Sequence, residues 1–378
     1  MIAPGDPAPW FVGRTHGKPH FHFDTVAGRY IVLSFFASTR PATQATIVRA
    51  FRAGRNHFDD KRACFFGITI DPEDKDSELI KPLLPGMRFF LDFDMAISAK
   101  FELCTPVKGH MPEAINYTSC SMVLDPRMRV LAVFDMRDPA GHASAVLGYL
   151  SALPDLDAQP QPPAPVLVVP RLFEPDFCGE LIAAYLAVGG DDSGFMREVN
   201  GKTTGIIDHV MKKRADCFLH PSNHKALING VRQRLHSRLF PEVQRAFQFA
   251  ATRIERYVIA CYDSDTGGYF RPHRDNTTRG TSHRRFAVSI NLNSEDYVGC
   301  DLRFPEFGPQ TYRPPTGGAL VFSCSLLHEA TRITSGRRFA CLPFLYDEDG
   351  EATRIKNLVH VDAEGAIRHP PPSPHRDE

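Results

Sequence analysis

The sequence predicts two domains of different class: an α/β domain with a layered sheet over residues 1–153, and an α+β domain over 165–362 in which helices brace a double-sheet β structure. Three observations predict this. The chain has 378 residues, more than the roughly 100–200 of one ordinary domain. Strand and helix signals alternate in the first half, whereas in the second half helices come first and many short strands follow. Between the halves, six prolines fall between Pro154 and Pro170. Proline fixes φ and removes a donor, so residues 154–164 read as an extended linker.

The elements follow in order. Tyr30–Ala37 (YIVLSFFA) is a buried-strand run, and Pro41 suits the first position of a helix reaching about Phe58. Cys64–Ile70 is a second strand, followed by a helix near 74–84, a strand at Arg88–Asp92 and a helix near 94–102. Ser121–Leu124 and Arg129–Phe134 form a hairpin pattern, closed by a helix over Gly141–Leu153. In the second half, Val166–Val169 is a strand, Glu174–Val188 a helix, and a longer helical stretch runs from about Pro221 to Phe249 with a break near Pro241. Short strands then dominate at Arg256–Tyr262, Arg285–Leu292, Leu302–Phe304, Ala319–Phe322 and Arg338–Tyr346, punctuated by Gly, Pro, Asn and Asp. Helices followed by many short strands predict a jelly roll. The proline-rich end, 363–378, reads as a disordered tail.

Composition excludes several classes. Lys+Arg and Asp+Glu are both 44, so no basic excess points to nucleic acid. The longest apolar runs fall well short of the roughly 20 residues of a membrane-spanning helix. The start, MIAPGDPAPWF, has no basic n-region followed by an apolar stretch, so no secretory signal is expected. Nine cysteines without a C-x-x-C predict reduced thiols and a cytoplasmic setting rather than a disulfide framework. Charge is uneven, however: between Arg271 and Arg338 there are ten Arg, no Lys and six acidic residues. Such a region suits an anionic ligand and acidic or carboxylate-bearing substrates.

Five H-x-D triplets begin at His22, His57, His273, His360 and His375, so the pattern alone says little. A non-haem Fe(II) site needs two His and one carboxylate on one face of the ion, with other positions open. A strand puts residues i and i+2 on one side, and a second His comes from a distant strand. His273 and Asp275 meet this demand, with His328 downstream after the strand run GGALVF and Arg338 ten residues further on. His57 is followed by His110, but position 120 is Cys where a basic residue is needed. Arg337 competes with Arg338, although strand alternation turns only one of the two inward. The HRD triplet also occurs in kinase catalytic loops, but the Asn required there is Gly280.

With IACYDSDTGGYFRPHRDN (259–276), VSINLN (288–293), GCDLRFPE (299–306), PPTGGALVF (314–322) and HEATRITSGRRFACLPFLYD (328–347), residues 164–350 resemble the prolyl-4-hydroxylase-like branch of the 2-oxoglutarate- and Fe(II)-dependent dioxygenases. The resemblance implies a double-stranded β-helix and makes His273, Asp275 and His328 iron ligands. It makes Arg338 the partner of the far carboxylate of 2-oxoglutarate and Tyr262 a wall of the co-substrate pocket, unless Tyr262 is a core aromatic only. A Tyr that touches 2-oxoglutarate in hypoxia-sensing members stands here as Asn291, a candidate co-substrate contact. The implied reaction consumes O2, releases succinate and CO2, hydroxylates a prolyl or other side chain of a protein or peptide, and draws on ascorbate. Asp275 disfavours the related halogenases, which leave that ligand position to halide.

The first domain resembles the thioredoxin-like fold, in its peroxiredoxin branch, through GDPAPWF, YIVLSFFA, FFGITID and VLDPRMRVLAVF. That fold carries its nucleophilic Cys at the start of the helix after the first long strand, where the helix N-terminus lowers the thiol pKa. Here the stretch is FFASTRPATQATIV, with Thr39, Thr43 and Gln44 in the neighbourhood. Cys64, Cys104 and Cys120 remain as buried thiols, with Cys104 or Cys120 the candidate for a relocated redox role. A domain without its thiolate is expected to bind extended peptide instead. The rival expectation is a redox- or oxygen-sensing scaffold whose iron site is regulatory.

Overall fold

A computed structural model describes residues 2–106, 115–156 and 162–362. The chain forms two compact units, Met1–Pro162 with Pro305–Pro309, and Pro163–Phe304 with Gln310–Glu378. The division falls inside the proline-rich segment, while the assignment of Pro305–Pro309 to the first unit has no signal in the sequence. Part of the expected linker, 157–161, and the expected tail, 363–378, lie outside the described residues. Among the described residues no helix is long and apolar enough to cross a membrane.

The first unit is thioredoxin-like. Its strands are β1 (Tyr30–Ala37), β2 (Ala63–Thr69), β3 (Met87–Leu91), β4 (Cys120–Leu124) and β5 (Val130–Asp135), with helix α1 (Ala42–Ala53) after β1 and α2 (His142–Ala152) after β5. The sheet order is β3-β2-β1-β4-β5, parallel across β3, β2 and β1 and antiparallel for β4 and β5. Burial on both faces explains why β1 and β2 read as near-continuous apolar runs, with Ser34 the polar letter inside β1. One core layer is built on phenylalanine rings, with Phe11 stacked on Phe23 at 4.6 Å and Phe66 on Phe90 at 5.1 Å.

The helix expected near 74–84 is absent. Two 3-10 turns, Pro72–Asp76 and Glu78–Ile80, replace it, capped by the side chains of Asp71 and Ser77. Asp74 in that segment is 1% exposed and accepts hydrogen bonds from the Thr39 amide (2.9 Å) and the hydroxyls of Thr39 and Thr69 (both 2.5 Å). A carboxylate drawn inward to satisfy the loop after β1 holds the segment in turns.

A buried polar chain crosses this unit. His142, 4% exposed, accepts at Nε2 from the Ser121 hydroxyl (2.8 Å) and donates from Nδ1 to the Asp135 carbonyl (2.9 Å), and Ser121 also bonds Ser34 (3.0 Å). Burial lowers the His142 pKa below its ordinary value, so the ring is neutral. The unfolded chain binds the proton first, and stability is lost as pH falls below about 6.5, by up to about 1.4 kcal/mol per pH unit. Thermal melts between pH 7 and pH 5 should therefore show a steeper acid loss for the wild type than for His142→Gln.

Among its described residues the second unit holds two large sheets and a separate two-stranded hairpin. The larger runs β6 (Leu167–Val169), β14 (Ala319–Ser323), β11 (Phe286–Asn291), β16 (Ile333–Cys341), β9 (Val258–Asp263) and β8 (Ala215–Phe218), with Asp191–Asp192 at its edge and β17 (Phe344–Tyr346) paired alongside β11. The smaller runs β7 (Lys212–Lys213), β10 (Tyr269–His273), β15 (His328–Ala330), β12 (Leu302–Arg303) and β13 (Thr311–Tyr312). This is a jelly roll of antiparallel strands braced by helices. Helix α3 (Pro175–Val188) buries Phe177, Cys178, Leu181 and Tyr185, a helical spacing, in the core that backs the larger sheet.

The second helical stretch is α4 (Pro221–Arg234), a π-helical segment Leu235–Leu239 and a helix Phe240–Phe247. The widened turn lies just before Pro241, which has no N–H to offer the preceding turn. The last expected strand starts earlier, at Ile333, and breaks at Leu342 and Pro343. The hairpin Phe195–Val199 with Lys202–Ile206 and the helix α5 (Glu348–Asn357) were not anticipated. The hairpin did have a signal: Asn200-Gly201, with φ of 51° and 76°, makes the two-residue turn that favours this pair.

Candidate active site

Period-two alternation sorts the larger sheet into two faces. On β11, Val288 and Ile290 enter the core shared with the helices, and on β16 Phe339 and Cys341 do the same. Ser289, Asn291 and Arg338 therefore face the other way, toward the smaller sheet. Tyr262 on β9 lies directly opposite Arg338 in the strand register. Tyr262 also joins Phe270 and Ala330 of the smaller sheet in one buried cluster, so the two sheets pack face to face here.

The smaller sheet brings His273, Asp275 and His328 together, with one ligand atom from each lying within 4.8 Å of the others. His273 on β10 and His328 on β15 are paired residues in the register, and their rings are 4.3 Å apart. Asp275 follows β10, its amide bonded to the Cys324 carbonyl at 2.9 Å. Its carboxylate stands 3.7 Å from His273 Nε2 and 3.4 Å from His328 Nε2.

Both imidazoles are oriented the same way. His273 Nδ1 donates to the Arg271 carbonyl at 2.8 Å, and His328 Nδ1 donates to the Leu326 carbonyl at 3.0 Å. Each proton is thus fixed on Nδ1, and each Nε2 presents a lone pair to the shared space. Burial, then the neighbouring His328, holds the His273 pKa well below its usual value, which keeps the ring in the metal-binding form. Aromatic walls fix the rings further. Phe270 stacks on His273 at 3.4 Å, and Phe322 meets His328 edge-on at 4.6 Å. Phe270 and His273 are three apart and would face opposite sides of a regular strand, but a register shift between them turns both inward. Two imidazole Nε2 atoms and one carboxylate on one side of a common space fit an Fe(II) ion with open positions.

Arg338 is 2% exposed and its guanidinium bonds only neutral acceptors: Asn291 Oδ1 (3.2 Å from Nε), the Cys300 carbonyl (2.9 Å) and Ser289 Oγ (2.8 Å). No carboxylate among the described residues pairs with it. A buried cation without a counter-ion is costly, and it fits the far carboxylate of 2-oxoglutarate. Arg337, its neighbour, is exposed. Tyr262, 4% exposed, turns its ring to both Arg338 and Arg214, 5.5 and 5.7 Å away, and so lines this pocket. Asn291 contacts the arginine: its carbonyl oxygen accepts from Arg338 and its amide donates to the Pro314 carbonyl at 3.0 Å. Asn291 and Ser289 thus orient Arg338, a role for Ser289 that the sequence reading missed, although it lies two residues before Asn291 on the same strand.

Further groups that the sequence did not flag support the ligands. Arg284, 8% exposed, donates to the Asp275 carbonyl (3.2 Å) and pairs through two nitrogens with Glu255 (2.7 and 2.5 Å), which His283 also contacts at 3.0 Å. This network fixes the main chain of the ligand loop.

In the first unit, the position expected for a reactive thiol holds none. Thr39 is buried against Asp74, and Thr43 is exposed. Burial pushes the Cys64 and Cys120 thiols up to about 12 and raises Cys104 as well. None of the three has the depressed pKa of a redox-active cysteine.

Residues 257–346 match the model of the 2OG-Fe(II) oxygenase superfamily. PKHD-type hydroxylases from two Synechococcus strains are 28% identical to this chain over 107 residues, 26% of this chain and 47% of theirs, so the chain spans about half the length of the curated relatives it matches. Among solved structures, Xanthomonas campestris peroxiredoxin Q covers 38% of this chain and 90% of its own at 20% identity, with a TM-score of 0.33. A Trichoplax adhaerens prolyl hydroxylase in complex with a hypoxia inducible factor peptide fragment covers 50% and 86% at 15% identity, with a TM-score of 0.37. The matched segment contains His273, Asp275, His328, Arg338, Tyr262 and Asn291, so the residues gathered at this site lie within the stretch that is similar to the 2OG-Fe(II) oxygenase superfamily.

Proposed function

We propose that the protein is an Fe(II)- and 2-oxoglutarate-dependent dioxygenase that hydroxylates a prolyl or other side chain of a protein or peptide and releases succinate and CO2. The observation that carries the proposal is the opposition of two half-sites. The ligand set His273, Asp275 and His328 lies on one sheet, and the unpaired buried guanidinium of Arg338 lies on the facing one. Bound iron and 2-oxoglutarate supply the oxygen chemistry needed to hydroxylate a C–H bond. The residues of this chain hold and orient: the Nδ1 bonds aim both imidazoles, Ser289 and Asn291 aim Arg338, and Tyr262 with Phe270 excludes water between the sheets.

The peptide substrate rests on the prolyl-4-hydroxylase-like sequence around residues 259–276. The thioredoxin-like unit, lacking its thiol, is assigned to binding extended peptide. All nine cysteines are unpaired, which suits a cytoplasmic setting, and ascorbate is expected to sustain turnover by keeping iron reduced. The test is aerobic incubation of the full chain with Fe(II), ascorbate and 2-oxoglutarate. Succinate should accumulate, and a cell extract should gain +16 Da peptides only with the wild-type protein. Stoichiometric 2-oxoglutarate binding without succinate would favour the sensing role instead.

A further inference from the structure

Tyr297 carries a hydroxyl that no group of the protein answers. The residue is 4% exposed, and its phenolic oxygen has no hydrogen-bond partner among the described residues. Buried polar atoms are almost always paired, so an orphan of this kind marks a place where a partner is to be supplied. The ring is clamped. The Arg313 guanidinium lies 4.4 Å from its centre, donates to the carbonyls of Tyr297 (2.9 Å) and Gly299 (2.8 Å), and is paired with Asp301 at 2.5 Å. This clamp keeps the hydroxyl from swinging out to water.

The strand register tells where the hydroxyl stands. Tyr297, on the short strand Tyr297–Gly299, is the partner of Gly336 on β16. Paired residues share a face, and Arg338 lies two residues beyond Gly336, so Tyr297 and Arg338 are diagonal neighbours on one face. Tyr297 joins Tyr262, Phe270, Cys300 and Ala330 in one buried cluster. Ala330 in turn shares a face of β15 with the ligand His328, two residues before it. A molecule that reaches from the triad to Arg338 therefore has Tyr297 beside its far end. Burial raises the Tyr297 pKa, so the phenol keeps its proton, and Arg338 is the charge that acts on it most strongly.

Arg338 alone is a poor host for a carboxylate, because most of its protons are already used. Asn291 Oδ1 accepts from Nε (3.2 Å) and Nη2 (3.0 Å), Ser289 Oγ accepts from Nη2 (2.8 Å), and the Cys300 carbonyl accepts from Nη1 (2.9 Å). The other Nη1 proton meets only the Cys300 sulfur, a weak acceptor, at 3.8 Å. A carboxylate offers two oxygens with about four acceptor sites, and one arginine proton leaves most of them unmet. Tyr297 is a second donor on the same face, also without an acceptor. We propose that the Tyr297 hydroxyl donates to the far carboxylate of 2-oxoglutarate beside Arg338, and that it sets the preference for a 2-oxo acid with a terminal carboxylate. The assignment deepens the dioxygenase reading and rests on it.

The test uses the full chain loaded with Mn(II) and kept under nitrogen, with two probes of equal length. One is 2-oxoglutarate, and the other is 2-oxopentanoate, which has a methyl group in place of the far carboxylate. Solvent-proton relaxation reads the binding of each through the displacement of water from the metal. Tyr297→Phe should weaken 2-oxoglutarate by about 10- to 100-fold, as the loss of a hydrogen bond to a charged group implies, and should not weaken 2-oxopentanoate or Mn(II) itself. The same substitution should not lower the thermal midpoint of the chain free of metal and 2-oxoglutarate, because the hydroxyl it removes has no partner there. Equal 2-oxoglutarate affinity in wild type and Tyr297→Phe, or an equal loss for both probes, overturns the assignment. A lowered midpoint overturns it too, since the hydroxyl would then have a partner within the protein. No displacement of water by 2-oxoglutarate in the wild type sinks the dioxygenase reading itself, whereas displacement that is indifferent to Tyr297→Phe sinks only the assignment.

Discussion

Asp275→Ala is expected to abolish succinate formation and to weaken Fe(II) or Mn(II) binding by more than about 100-fold, the upper end of the loss for a partner one shell further out. The carboxylate is the sole anionic ligand of the set, and its oxygens stand 3.7 and 3.4 Å from the two Nε2 atoms. Two imidazoles then remain, a donor set with no negative charge to hold a hard divalent ion. The fold should persist. The Asp275 main chain is anchored independently, by its amide to the Cys324 carbonyl and by its carbonyl to Arg284. Metal titration with circular dichroism on the same samples checks both halves: lost affinity with an unchanged spectrum. Retained micromolar iron binding would show that Asp275 is not a ligand.

Arg338→Met has the second large effect, and it falls on the co-substrate. Truncating one partner of a buried charge-assisted contact costs about 2–5 kcal/mol, roughly a 30- to 5,000-fold rise in the 2-oxoglutarate concentration required. The metal should still bind, because Arg338 lies on the sheet opposite the triad. Arg338→Lys should fall between, since it keeps the charge but loses the planar fork that Ser289, Asn291 and the Cys300 carbonyl hold in place. Initial rates against 2-oxoglutarate concentration measure the series. Asn291→Ala should move in the same direction by a smaller factor, because it frees one side of the guanidinium without removing it.

The sequence disclosed the half-sites where chemistry and period coincide. His273 and Asp275 stand two apart, His328 follows a strand run, and of two neighbouring arginines only one of which can face inward, the ten-residue offset from His328 favours Arg338. The same parity explains the polar letters of VSINLN, whose Ser289 and Asn291 lie on the pocket face of a strand with Val288 and Ile290 behind. Other features were hidden because tertiary contacts decide them. Nothing in KKRAD says that Lys212 is buried and Lys213 is not, since β7 is only two residues long. The inward turn of Phe270 depends on a shift in strand register that no local pattern marks. The helix expected near 74–84 failed for a similar reason: Asp74 is held by Thr39 and Thr69, partners more distant in the chain or on the preceding strand.

The triad and Arg338 are expected to hold one iron and one 2-oxoglutarate together. Anaerobic titration of 2-oxoglutarate into the Fe(II)-loaded full chain tests it, read by the visible charge-transfer absorption of the iron chelate. A band should saturate at one equivalent per chain in the wild type, vanish in Asp275→Ala, and demand far more 2-oxoglutarate in Arg338→Met. No band in the wild type, or the same titration in all three proteins, would contradict the account.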